Sequence, residues 1–375
     1  MKKQKNIRLS KSVLDTKEAS ALRRVILQDG YLGMGQEVRL FEEELGGFIG
    51  REAVCVNSGT AALHLAVMSV VKPGDEVLVP SLTFVASFQA ISAAGARPVA
   101  CDIDENALFI DLKDAERRLT KKTKAIMPVH YSGGVGDLRA VYAFAKKHGL
   151  RVIEDAAHAF GTTYHEKMIG SIGDIVCFSF DGIKNITSGE GGAVLSSDQQ
   201  VMDFVKDARL LGVCKDTAKR YQGQRSWEFE VAHQGYRYHM SNLFAAVGRV
   251  QLKKFSRFAA IRKKLAQRYH EQLKAISGVE LLQRDYNTVV PHIFPIRVKD
   301  GRRDELRSFL LEKAIETGVH YYPNHWLEFF APQKMILPVT ERVYGQILSL
   351  PLHPDLKLTD QNRVIKAVGD FYGPK

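Results

Sequence analysis

Three stretches of this sequence hold residues whose types and spacing could do chemistry. The first is PheSerPheAspGlyIleLysAsnIleThrSerGlyGluGlyGly at 178–192. An apolar run ends at Phe180, a short loop follows, and Lys184 lies within it. Gly189, Gly191 and Gly192 mark backbone that turns sharply or closely approaches a ligand. A lysine whose ammonium is destabilised by its surroundings is a Schiff-base nucleophile; a lysine in an ordinary loop is only solvated. Glu190, in the same loop, either contacts a substrate or shapes the turn.

The second stretch is ValIleGluAspAlaAlaHisAlaPheGly at 152–161. Asp155 closes an apolar strand, where a carboxylate needs a partner because unpaired burial is expensive. A protonated pyridine nitrogen would serve, and so would the N–H groups of a following turn. Asp155 and Lys184 are 29 residues apart, about one helix-to-strand excursion, so both should reach the same edge of a sheet. The third stretch is AsnSerGlyThrAlaAlaLeuHisLeuAla at 57–66. Ser58, Gly59 and Thr60 precede a helical pattern, and free N–H groups at a helix start suit a phosphate, although the same residues also make a plain N-cap. Phe84, just past the strand that ends at Pro80, could stack on a planar ring or pack in the core.

The elements that must position these residues alternate. Strand patterns fall at 76–80, 97–103, 124–129, 151–154, 174–180 and 192–196, with helices at about 84–94 and 137–148. Such alternation predicts an α/β unit with a mostly parallel sheet covered on both faces. Ligands in such sheets bind beyond the carboxyl ends of the strands, where Asp155 and Lys184 fall. From about residue 250 a long helical pattern carries Leu252, Phe255, Phe258, Ile261 and Leu265 on one face. Strand candidates at 289–298 and 318–322 and a last helix near 359–370 form a smaller unit. The expected division is a large α/β domain over 15–250 and a small α+β domain over 251–375, with residues 1–14 as an arm packing near it.

Composition narrows the classes. The chain has 375 residues, 45% apolar and 25% charged, as ordinary globular proteins do. No window has the roughly 18 apolar residues that a membrane helix needs. The basic start, MKKQKNIRLSKSVLD, has no apolar run behind it, so the cytoplasm is the expected compartment. Cys55, Cys101, Cys177 and Cys214 form no CxxC pair, which argues against a zinc site or a disulfide framework. The net charge of +11 is spread along the chain without a nucleic-acid motif and suits anionic small molecules. A nicotinamide dehydrogenase would need a G-x-G-x-x-G turn after an early strand, and there is none.

The segments NSGTAALHLA, PSLTFVAS, MPVHYSGG, VIEDAAHAFGTTY, GDIVCFSF, KNITSGEGGAV, GYRYHMSNLFAAVGRVQL and SLPLHPDL run in order from 57 to 356. Together they resemble the DegT/DnrJ/EryC1/StrS family of sugar aminotransferases, of pyridoxal-phosphate (PLP) fold type I. The resemblance implies that Lys184 holds PLP covalently and that Asp155 pairs with its ring nitrogen. It implies that Phe84 covers the ring, and that Ser58, Gly59, Thr60 and Ser179 hold the phosphate. His158 would lie near the ring's phenolic oxygen or the sugar; many relatives carry Gln there. Arg237 stands where relatives have Asn or Lys reaching a neighbouring subunit's cofactor phosphate, which implies a homodimer with shared sites. Tyr31, Tyr321 and His325 fall where relatives approach the substrate.

The implied partners are L-glutamate and a keto sugar, nucleotide-linked or a free keto or aldehydo acid sugar. His158, HYSGG and GIKNITSGEGG most resemble the branch that aminates C4 of UDP-4-keto sugars for lipopolysaccharide. A dehydratase of this family would have His in place of Lys184. A regulatory protein that kept only the fold would be expected to lose the Asp–Lys pair, which this sequence retains.

Overall fold

A computed structural model describes residues 5–330 and 335–373. Seven strands form one sheet in the order Ala53–Val56, Gly192–Ser196, Ile175–Ser179, Arg151–Asp155, Thr123–Ile126, Glu76–Pro80, Arg97–Cys101. Four pairings are parallel, and Gly192–Ser196 runs antiparallel to both its neighbours. The sheet is mostly parallel and covered by helices on both faces, as the alternation of strands and helices predicted. Alternate residues of each strand enter opposite cores. Val77, Val79, Ile153 and Cys177 pack with helices Gly59–Met68, Val85–Ala93 and Gln199–Ala208. Leu78, Val152, Val176 and Phe178 pack with helices Gln36–Ile49 and Leu138–His148 on the other face. Burial on both faces explains why the strands read as continuous apolar runs.

Ala53–Val56 is an edge strand, and a buried ion pair fixes it. Glu42, on Gln36–Ile49, accepts from the Cys55 N–H at 2.7 Å and from Tyr221 Oη. Arg209 pairs with Glu42 and donates to the Cys55 carbonyl at 2.6 Å. This strand leads straight into Ser58, so the pair sets where the next helix begins.

A second, antiparallel sheet joins Val279–Leu281, Phe294–Val298 and Ile347–Leu350. It has its own core, including Ile296, Leu306, Leu348 and Val364. Among the described residues of the N-terminal arm, Ile7 pairs with Ala314 at 2.9 Å and packs in that core. Residues 1–4 of the arm lie outside the described residues.

Several elements differ from the sequence expectation. The long helix starts at Asn242, not 250, and runs to Leu273, because Ser241 caps it by accepting from the Phe244 N–H. Residues 318–322 form no strand; only Gly318 bridges Ser349. The third strand of the small sheet is instead Ile347–Leu350, four residues hidden between a helix and a Pro. The strand expected at 289–298 is confined to Phe294–Val298.

Arg209→Met should cost about 3–5 kcal/mol, because it strands the Glu42 carboxylate inside the protein. Urea unfolding measures this, and a loss below about 1 kcal/mol would remove the pair's anchoring role.

Candidate active site

The carboxyl edge of the large sheet opens into a cavity of about 450 Å³. Ser58, Gly59, Thr60, Asp155, Ser179 and Lys184 all line it, each just past the end of a strand or at the start of a helix. Phe84, His158 and Tyr321 complete the part of its wall that the sequence pointed to. A depression of about 590 Å³ beside Tyr142 and Asp174 is larger but contains none of these groups.

One end of the cavity is a helix start. Ser58 Oγ accepts from the Ala61 N–H at 3.0 Å, so this hydroxyl serves as the N-cap of Gly59–Met68. The N–H groups of Gly59 and Thr60 remain for an anion. Gly59 must be glycine here: a Cβ would stand 2.7 Å from Ser179 Cβ. Gly192 is as tightly held, since its Cβ would fall 2.5 Å from the Ser58 carbonyl oxygen.

At the middle lie the acid and the amine. Asp155 is buried; its Oδ2 accepts from Ser87 Oγ at 2.7 Å and its Oδ1 from the Ala157 N–H at 3.2 Å. The Lys184 ammonium is pulled down to about 8 by burial, opposed by the charges of Asp155 and Asp181. The free amine is therefore accessible near neutral pH, as a Schiff-base lysine requires.

The far wall is built of imidazoles and phenols. Burial first, then the Lys184 charge and His320, hold His158 well below the usual histidine range. The Ser132 N–H donates to His158 Nδ1 at 3.3 Å, so the proton sits on Nε2 and is donated to Tyr321 Oη, 3.0 Å away. That leaves the Tyr321 hydroxyl proton free to point elsewhere. Phe84, half exposed at the mouth, has its ring centroid 5.5 Å from that of Tyr321.

The sequence reading did not pick out three groups that also line the cavity: His292, His320 and Asp181. His292 packs 4.4 Å from His158, ring to ring, and His320 Nδ1 lies 2.8 Å from Ser349 Oγ. They come from loops more than a hundred residues away, and no local pattern marks them. Asp181 is three residues before Lys184 and could have been read as a neighbouring charge. Glu190 lines the cavity too; burial and then Asp181 raise its carboxyl above the usual range.

Three expected residues lie elsewhere. His325 does not line the cavity: it is buried, with Nδ1 2.7 Å from Ser81 Oγ and Nε2 3.1 Å from Glu341 Oε1. Its Nδ1 holds the loop against the end of Glu76–Pro80, and its Nε2 faces the helix Pro338–Gln346. Tyr31 does not line this chain's cavity, because Asn242 binds its carbonyl at 2.8 Å and fixes the loop beside the long helix. The Arg237 side chain is exposed and outside the cavity of its own chain, although its carbonyl lies 3.4 Å from Asn57 Nδ2.

The Lys184 amine should react with an aldehyde probe at a rate that rises as pH passes through about 8, where it sheds its proton. Rate against pH in cofactor-free protein measures this; a midpoint above 10 would mean that burial does not act on the amine.

A helix start for a phosphate, a glycine cradle, a carboxylate at a strand end and a buried lysine that sheds its proton easily together fit PLP. The comparisons with known proteins agree. The DegT/DnrJ/EryC1/StrS aminotransferase family matches residues 13–369. The spore coat polysaccharide biosynthesis protein SpsC of Bacillus subtilis (strain 168) is 39% identical over 357 residues, covering 92% of each chain. The sugar aminotransferase CalS13 from Micromonospora echinospora is 29% identical with a TM-score of 0.89, over 97% of this chain and 99% of that one. Spr1654 from Streptococcus pneumoniae, solved in a PMP form, is 28% identical with a TM-score of 0.90, over 98% of each chain. With a cavity of this chemistry and a match across nearly its whole length, the chain belongs to the DegT/DnrJ/EryC1/StrS aminotransferase family and is a PLP-dependent sugar aminotransferase.

Proposed function

We propose that this enzyme transfers an amino group from L-glutamate to a nucleotide-linked 4-keto or 3-keto hexose, using Lys184 as its proton carrier. The observation that carries the reading is the shared cavity of Lys184 and Asp155. Aromatic Phe84 and Tyr321 beside the carboxylates of Asp181 and Glu190 support a sugar, because carboxylates accept hydrogen bonds from hydroxyls and rings cover apolar sugar faces. SpsC, by its name a polysaccharide biosynthesis protein, supports a biosynthetic role.

In this reading Asp155 would keep a proton on the cofactor's ring nitrogen. The N–H groups of Gly59 and Thr60, with Ser179, would hold its phosphate. Phe84 would cover its ring, and the Nε2–H of His158 is oriented by the Ser132 N–H. Bound PLP supplies an electron sink for the electrons left on a carbon that loses its proton. Lys184 would carry that proton from the α-carbon of the donor to the cofactor's reacting carbon, and in the second half-reaction would carry one from that carbon to the sugar carbon that gains the amine. Both substrates then use one site in turn, which gives ping-pong kinetics. Residues 15–250 would serve as the cofactor-binding unit and 251–375 as the smaller unit, which contributes Tyr321.

Arg237, exposed on its own chain, would reach the phosphate in the partner's site, making the active unit a twofold dimer. Mixing inactive Lys184→Ala and weakened Arg237→Ala subunits should then restore activity, because one site in each hybrid has both residues. Hybrids no more active than the Arg237→Ala parent would rule out a shared site.

Lys184→Ala should lower turnover by at least a thousandfold and abolish trapping of the cofactor by borohydride, read by mass spectrometry. Full turnover by that variant would defeat the mechanism. Screening UDP- and dTDP-linked keto hexoses against free keto sugars, with the aminated cofactor loaded, tests the substrate. Amination of the free sugars alone would overturn the nucleotide-linked reading.

A further inference from the structure

Beside Asp155 lies a pair of hydroxyls that the mechanism above does not use: Ser87, off the cavity, and Thr83, on its wall. Ser87 and Thr83 are both almost fully buried. Ser87 Oγ is 2.7 Å from Asp155 Oδ2, and Thr83 Oγ1 is 2.9 Å from Ser87 Oγ. The direction of these bonds follows from proton counting. An ionised carboxylate has no proton to give, so the single Ser87 hydroxyl proton goes to Asp155. The Ser87 oxygen then accepts, and only Thr83 can supply the proton between them. The result is a one-way chain, Thr83 to Ser87 to Asp155, in which each bond polarises the next.

The Ser87 hydroxyl has no other duty. It lies in the first turn of Val85–Ala93, whose N-cap, Phe84, makes no side-chain cap bond. A serine inside a helix is a mild liability unless its hydroxyl is used. Thr83 is itself held in place from the smaller unit. Asn324 Nδ2 donates to the Thr83 carbonyl at 2.8 Å and to the Ser81 carbonyl at 3.1 Å. On its other side Asp155 Oδ1 accepts from the Ala157 N–H, at 3.2 Å. Ser87 thus makes the shorter of the two bonds that define the carboxylate plane.

We propose that Ser87, backed by Thr83, is a positioning residue that fixes the plane of the Asp155 carboxylate toward the cofactor's ring nitrogen. The proposal rests on the reading of Asp155 as that nitrogen's partner. Without Ser87 the carboxylate would be held at one oxygen only. It would rotate away from the nitrogen for part of the time, and the nitrogen would lose its proton more readily.

The test uses the holoenzyme and the variants Ser87→Ala, Ser87→Thr, Thr83→Val and Asp155→Ala. A hydrogen bond to a charged group leads us to expect that Ser87→Ala slows the glutamate half-reaction roughly 10- to 100-fold, with little change in the KM for glutamate. It should also weaken PLP retention on dialysis and shift the pH titration of the bound cofactor's absorbance. Ser87→Thr should restore all three. Thr83→Val should have a smaller effect, and none when added to Ser87→Ala, because the chain is already cut. A Ser87→Ala enzyme within twofold of wild type, with an unshifted absorbance titration, would overturn the proposal. So would a lower melting temperature as its only change, or effects of the two variants that simply multiply. Asp155→Ala separates the two layers: if it keeps full activity and spectrum, the role of Asp155 fails. If it collapses while Ser87→Ala does not, only the hydroxyl chain fails.

Discussion

Everything at this site depends on an unfavourable placement: a carboxylate and an amine taken out of water at one edge of a sheet. Neither is tolerated without compensation. Asp155 accepts from a hydroxyl at one oxygen and from an N–H at the other. Lys184 is compensated only in part, by charge at a distance, and yields part of its proton affinity to burial. That imbalance makes the amine a nucleophile while the acid stays an acceptor.

The rest of the fold serves to hold these two groups in register. Parallel strands bring their carboxyl ends to one edge, so residues far apart in sequence converge without long loops. The antiparallel strand Gly192–Ser196 returns the chain from the Lys184 loop across that edge, against Ser58. The edge strand is tied by the Glu42–Arg209 pair, which lies outside the cavity yet fixes the strand that leads into the helix Gly59–Met68. The site is then closed from outside the large sheet. Tyr321, His320 and His292 all come from beyond residue 280, and each meets His158 or the Lys184 field.

This closure also explains two side chains that do not touch the cavity. His325 is spent on Ser81 and Glu341, and Asn324 on two carbonyls of the 81–83 loop. Together they pin the segment that carries Tyr321 onto the loop at the end of Glu76–Pro80. A residue four positions from a cavity-lining one is thus structural, because the backbone between them turns into a short helical loop.

By itself the sequence determined the strands 76–80 and 192–196 and the positions of Asp155, Lys184 and Gly59 at the strand ends. Buried strands are uniform apolar runs, and reactive groups interrupt them at their ends, so local pattern suffices. Its ordered motifs also determined the family. Only the tertiary structure decided that Ile347–Leu350 is a strand and 318–322 is not, since four-residue pairings are set by the partner they find. It alone decided that His292 and His320 belong to the site, that His325 and Tyr31 stand outside this chain's cavity, and that the Ser58 hydroxyl is a helix cap. Whether a histidine or a hydroxyl faces a ligand or a neighbour depends on which distant atoms claim its lone pairs and protons, and spacing along the chain does not encode that.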